Sequence, residues 1–256
     1  MLKKFAIAAA LALLICLNRF SILPAYITDI SSLLLVSFGA VLPFEGIAFF
    51  ESLIAMLPLT AQMILFAEYI GADISTVSVY IFSRTARRDK WLFAKIAKLA
   101  GISVLFNAVC LAVGVIFGLA SGLGVSAELP VTLALLFVTM FTWSALIVCV
   151  IAVCAVKIKS SIVLSVSAPA FMIWVFLINF IPRGISRWLV PLIPISNELL
   201  AAHSDVTQLE FLSARLGESS YTLPLWWSVV YFVICASAFL VLSRRWIMKT
   251  DFTETR

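Results

Sequence analysis

Charge is scarce in this sequence. Asp, Glu, Lys and Arg supply 12% of the 256 residues, about half of the roughly 25% usual in soluble domains. Hydrophobic residues make up 63%, and the mean hydropathy is +1.14. A soluble globular class is excluded, and the length left outside apolar runs is too small for a separate catalytic or ATP-binding domain. The expectation is one membrane domain over residues 1–256.

Other absences narrow the chemistry. The five cysteines, Cys16, Cys110, Cys149, Cys154 and Cys235, all fall in apolar stretches with no CxxC pair, so neither a disulfide framework nor a zinc site is indicated. The sequence holds no HExxH, no GxSG and no GxxxxGK[ST] phosphate loop. A self-energised pump is therefore excluded, an enzyme is not expected, and no cofactor is expected in this chain. The one histidine, His203, lies near Asp205 with no second cluster of metal ligands. The formal net charge of +5 does not point to nucleic acid, because the cations sit beside apolar runs and no folded soluble surface carries a patch.

What the chain does have is long apolar runs. Gly101–Ala127, Leu129–Val156, Ser160–Pro182 and Ser219–Ser243 carry no charge, and each exceeds the roughly 20 residues that a helical crossing needs. Upstream, Phe5–Asn18, Ile30–Phe44 and Ser52–Ala67 are shorter. The first follows Lys3 and Lys4 in the manner of a signal peptide, but no A-x-A-like site closes it cleanly, so it reads as a span.

The distribution of charge sets the count, since short cytoplasmic loops are enriched in Lys and Arg. Lys3 and Lys4 precede the first run; Arg84, Arg87, Arg88, Lys90, Lys95 and Lys98 precede Gly101; Lys157 and Lys159 separate two spans; Arg244, Arg245, Lys249 and Arg256 follow the last. Placing these groups inside accounts for 14 of the 18 cations. An even number of crossings then lies between the N-terminus and Arg84. Phe5 to about Pro24 and about Gly46 to Ala67 are assigned as spans, and Ile30–Phe44 has re-entrant or interfacial length. Arg19 is expected to snorkel outward from the end of the first span. The fold expected is an all-α polytopic membrane protein with six transmembrane helices and both termini cytoplasmic.

Polar residues mark finer features. Asn18, Gln62, Asn107 and Asn179 lie within spans, where hydrogen bonds between helices are the expected role, with lining of a substrate path as the alternative. Glu45, Glu51 and Glu68 flank the second span, where solvated or paired carboxylates are the expected role, with an acidic relay as the alternative. Between Arg183 and Pro224, short external helices are expected before the last span. Asp205, Gln208 and Gly217 bracket Val206, Leu209, Leu212 and Leu216 at helical spacing, and the run RWLVPLIPISNELL, broken by prolines, is suited to dip into the outer leaflet.

The stretch YIFSRTARRDKWLFAKI, Tyr80–Ile96, concentrates the basic residues. As a helix it places Arg87, Trp91 and Lys95 on one face and Leu92, Ile96 and Leu99 on another. On spacing alone this is a membrane anchor, with Trp91 in the interface and the cations at anionic headgroups. Its order of aromatic lead-in, Arg, basic segment, Trp and Lys, just after the second of six spans, resembles the first cytoplasmic loop of ABC transporter permeases of the type-2 exporter class. It is closest to the small permeases of bacteriocin or lantibiotic export and immunity systems. The six-span plan and the long external loop match that class along nearly the whole chain.

The resemblance implies a coupling helix within the loop at about 68–98, seated in a groove of a separate ATPase subunit, with Arg84, Arg87, Arg88, Trp91 and Lys95 as docking residues. It implies ATP and Mg on that partner, a second permease chain as homodimer or heterodimer, membrane lipids around the bundle, and a bacterial cytoplasmic membrane. The activity implied is ATP-driven export of an amphiphilic substrate such as an antimicrobial peptide. One departure is that only Met1–Lys4 precede the first span, so contacts attributed to an amphipathic entry helix in that class do not carry over. The competing reading is a membrane immunity or scaffold protein that binds a peptide through the external loop at about 183–224 without transport.

Overall fold

The computed structural model describes residues 2–39, 53–73, 88–180, 189–198, 200, 203–207 and 223–249. Among them the chain is all helical. In chain order the helices are α1 (Leu2–Ile22), α2 (Ile30–Phe38), α3 (Leu53–Asp73), α4 (Arg88–Ala120), α5 (Leu129–Lys157), α6 (Ser160–Phe180), α7 (Pro194–Glu198), α8 (Ser204–Thr207) and α9 (Leu225–Lys249). Five of them, α1, α3, α4, α5 and α9, are long and apolar enough to cross a membrane, so the chain is a multi-pass membrane protein.

α4 and α5 form the centre. α1, α2, α3 and α9 pack against α4, and α3, α6, α7 and α9 against α5. Enclosure follows this order, since 72% of the best apolar window of α5 is buried against 6% of that of α9. In a bilayer, lipid tails cover what the bundle leaves open.

α4 is longer than a crossing requires. Its 33 residues rise about 50 Å at 1.5 Å each, against a hydrocarbon thickness of about 30 Å. Leu92, Ile96, Leu99, Ser103, Phe106, Cys110, Gly114 and Gly118 form one buried stripe along its whole length, repeating every three to four residues. The helix ends in a glycine turn. Gly122 has φ +77°, and the amides of Leu123 and Gly122 donate to the carbonyls of Gly118 and Leu119. That is a Schellman stop, which favours a residue without Cβ at the left-handed position.

The re-entrant length of the second apolar run is matched by α2, whose nine residues are all buried. It is started by a capping box: Ser32 N–H donates to Asp29 Oδ1 at 2.7 Å while the Ser32 hydroxyl faces the Asp29 amide at 3.1 Å. Ile30 N–H reaches Gly124 O at 3.2 Å, and Ser31 and Ser126 hydroxyls lie 2.7 Å apart, fixing α2 to the α4–α5 turn. Two glycines of α4 make room for it. A Cβ on Gly118 would lie 2.9 Å from Ile30 Cγ1, and one on Gly114 2.7 Å from Leu34 Cδ2. The pair forms a GxxxG motif that brings helices close in an apolar medium.

Several expected boundaries move. α3 runs to Asp73, past the expected end at Ala67, so Glu68 lies inside the helix. Arg19 is fully buried in the last turn of α1 instead of snorkelling outward. Asn18 is exposed, and among the described residues it makes no cross-helix bond of the kind expected for it. Inside α5 the turn Phe137–Phe141 is a π-bulge, and Thr139 Oγ1 bonds Leu135 O within it. The extra residue rotates the rest of the helix about its axis, which brings Trp143 and Ser144 to the interior.

Candidate functional site

Contacts gather the basic ends on one face. Lys4, at the start of α1, donates to Leu65 O of α3 and lies 4.7 Å from the Phe66 ring centre. Lys95 of α4 pairs with Asp73 at the end of α3. Asp89 faces Arg244 of α9 at 3.6 Å. Ser160, opening α6, donates to Glu68 Oε1 at 2.6 Å. The start of α1, the end of α3, the start of α4, the α5–α6 turn and the end of α9 therefore share one end of the bundle. The α4–α5 turn and the start of α2 lie at the other.

Of the expected docking residues, Arg84 and Arg87 lie outside the described residues. Arg88, Trp91 and Lys95 occupy the first turns of α4, continuous with the span. The part of the expected loop from Arg88 to Lys98 is thus helical, and the buried stripe that begins at Leu92 is the same one that runs through the crossing. Trp91 is half-buried against the core and Lys95 is engaged with Asp73. Among the described residues of this segment, the cations that project outward are Lys90 and Lys98. Helical spacing alone could have found them, since Lys90, Ala94, Ala97 and Lys98 lie opposite Leu92, Ile96 and Leu99.

Midway along the bundle lies a polar network. The Ser103 hydroxyl donates to Gln62 Oε1, Gln62 Nε2 donates to Asn107 Oδ1 at 2.6 Å, and Asn107 Nδ2 donates to Ser144 Oγ at 2.6 Å. All four side chains are fully buried, and they join α3, α4 and α5. This is the cross-helix role expected for Gln62 and Asn107.

At the opposite end, the segment before α9 is tied down by side chains. Asn197 Nδ2 donates to the carbonyls of Pro191 and Ile193, so its Oδ1 is the acceptor for the Ser228 hydroxyl at 2.6 Å. That hydroxyl's proton is thereby committed, and His203 Nε2, 2.7 Å from it, must be the protonated nitrogen. Trp227 Nε1 and the Tyr231 hydroxyl donate to Pro191 O and Leu192 O. Asp205 accepts the Leu225 amide on both carboxylate oxygens, at 3.0 and 2.8 Å, capping α9. Asp205, expected from the sequence to bracket Val206 as the N-cap of a helix, instead sits within α8; residues 208–222 lie outside the described residues. Glu198 is nearly fully buried, with Oε2 unpartnered, and burial holds its carboxyl well above the usual carboxylate range.

Among the described residues no group of three or more His, Cys, Asp or Glu could hold a metal ion. No protein-family model, curated protein or solved structure matches the chain.

Proposed function

We propose that this chain is the membrane-spanning permease subunit of a bacterial ABC exporter, driven by a separate ATPase subunit that carries ATP and Mg. The observation that supports this most is the convergence of five basic or paired helix ends on one face, where α4 overshoots the membrane thickness and presents Lys90 and Lys98 to solvent. Positive-inside bias makes that face cytoplasmic. Parity supports a sixth crossing, because Lys157 lies at the basic end whereas Leu225 is capped at the other, and α6 is the longest described helix between them.

On this reading the ATPase grips the start of α4 together with residues 84–87. Closure of two ATPase subunits on ATP pushes this lever, and the Asp73–Lys95 and Asp89–Arg244 pairs pass the displacement to α3 and α9. Such coupling needs a stiff element and a bistable interface between two permease chains, not reactive side chains. The substrate class is amphiphilic, an antimicrobial peptide among the candidates.

The test is co-purification with an ATPase co-expressed from the same operon. Charge reversal of Arg87, Arg88, Lys90 and Lys98 should release the ATPase while leaving the permease in the membrane. Retention of the full complex would remove the docking role. Protection of cells from a peptide that persists after loss of ATPase activity would favour the immunity or scaffold reading.

A further inference from the structure

A groove of about 530 Å3 runs along the bundle between α6 and α9. α6 and α9 both pack against α5, and α5 forms the floor. Leu146, Val150 and Cys154 lie on the floor, Ile162 and Val166 on the α6 wall, and Cys235 on the α9 wall. The lining is almost wholly apolar, and the volume falls within the range of small-ligand pockets.

The two ends of the groove differ. At one end stands Trp143, buried against Tyr231 and Phe232 at ring-centre distances of 5.3 and 5.8 Å, with Pro194 of α7 beside it. Tyr231 is itself fastened to Leu192 O, so this end is capped by aromatic rings. The other end is Ile158, flanked in sequence by Lys157 and Lys159, all three exposed. Glu68, which reaches the start of α6 here, is engaged by the Ser160 hydroxyl. From Trp143 to Ile158 the helix rises about 22 Å, most of the hydrocarbon thickness of about 30 Å.

We infer that this groove binds an anionic phospholipid, with one acyl chain laid along α5 and the phosphate headgroup held at Lys157 and Lys159. An apolar slot capped by aromatics and flanked by two cations at its other end matches a hydrocarbon chain that carries a negative head. The side opening between α6 and α9 leaves the second acyl chain in the bilayer. Cationic side chains at the membrane surface favour anionic over zwitterionic headgroups. This inference stands apart from the permease reading, since it rests on no docking residue.

Two native thiols in the groove lining, Cys154 on the floor and Cys235 on the α9 wall, report its occupancy. The purified full-length chain in dodecylmaltoside micelles is supplemented with phosphatidylcholine, phosphatidylglycerol or oleate, and N-ethylmaleimide modification of Cys154 and Cys235 is followed by peptide mass spectrometry. Phosphatidylglycerol should slow both reactions roughly tenfold relative to phosphatidylcholine, and the K157Q/K159Q variant should lose that difference. Val150→Trp, which fills the groove with apolar bulk, should protect Cys154 in phosphatidylcholine alone, and it separates groove filling from any effect of the lysines on folding. Equal rates in both phospholipids would overturn the inference. Protection by oleate equal to that by phosphatidylglycerol would overturn the phospholipid assignment.

Discussion

Glu198 and Asn107 are both polar side chains enclosed by the bundle, and their surroundings set opposite expectations. Glu198 has an unpartnered Oε2, and burial raises its carboxyl pKa above the unfolded value. The folded protein therefore keeps a proton that the unfolded chain releases, so stability is greatest below the ordinary Glu pKa of about 4.3 and falls as pH rises toward the folded value. The slope in that window is at most about 1.4 kcal/mol per pH unit. Glu198→Gln should raise the midpoint of thermal unfolding at neutral pH and flatten its pH dependence above pH 5; an unchanged slope would remove Glu198 as its source. Asn107 has its carbonyl and amide paired to Gln62 and Ser144. Asn107→Ala strands those partners in an apolar interior and should cost about 1–3 kcal/mol. The fourfold variant Gln62→Leu/Ser103→Ala/Asn107→Leu/Ser144→Ala should recover part of the loss, because every member of the network leaves together.

Among the elements, α2 depends most visibly on its neighbour's glycines. Gly118→Ala places a methyl against Ile30 Cγ1 and Cβ, and a branched side chain fixed in a buried helix has little room to yield. A loss of about 1–3 kcal/mol is expected, measured by thermal unfolding in detergent. Gly101→Ala, with no atom within 4 Å of the added carbon, should be neutral or slightly stabilising. The short length of Ile30–Phe44 was legible in the sequence and marked it as something other than a crossing. The boundaries of α3 and α4 were not, because Lys, Asp and Glu end an apolar run without ending a helix. Arg88 to Lys98 keep the α-helical spacing of Leu92, Ile96 and Leu99, and that stripe carries the helix through the charged segment. Arg19 was misread for a related reason: position near the end of a span says nothing about which side of the helix faces the bundle.

For the whole molecule, the gathering of basic ends on one face was legible in the spacing of cations along the chain, and the pairs Lys95–Asp73 and Arg244–Asp89 give it geometry. The polar network and the groove were not legible, since both depend on which helices become neighbours. On the permease reading the start of α4 faces the cytoplasm, where an ATPase can reach it. Replacing Lys98 by cysteine in an otherwise cysteine-free chain, and treating intact cells with a membrane-impermeant maleimide, tests it most directly. Protection in intact cells with rapid labelling after permeabilisation is the predicted result. Rapid labelling before permeabilisation would contradict the account.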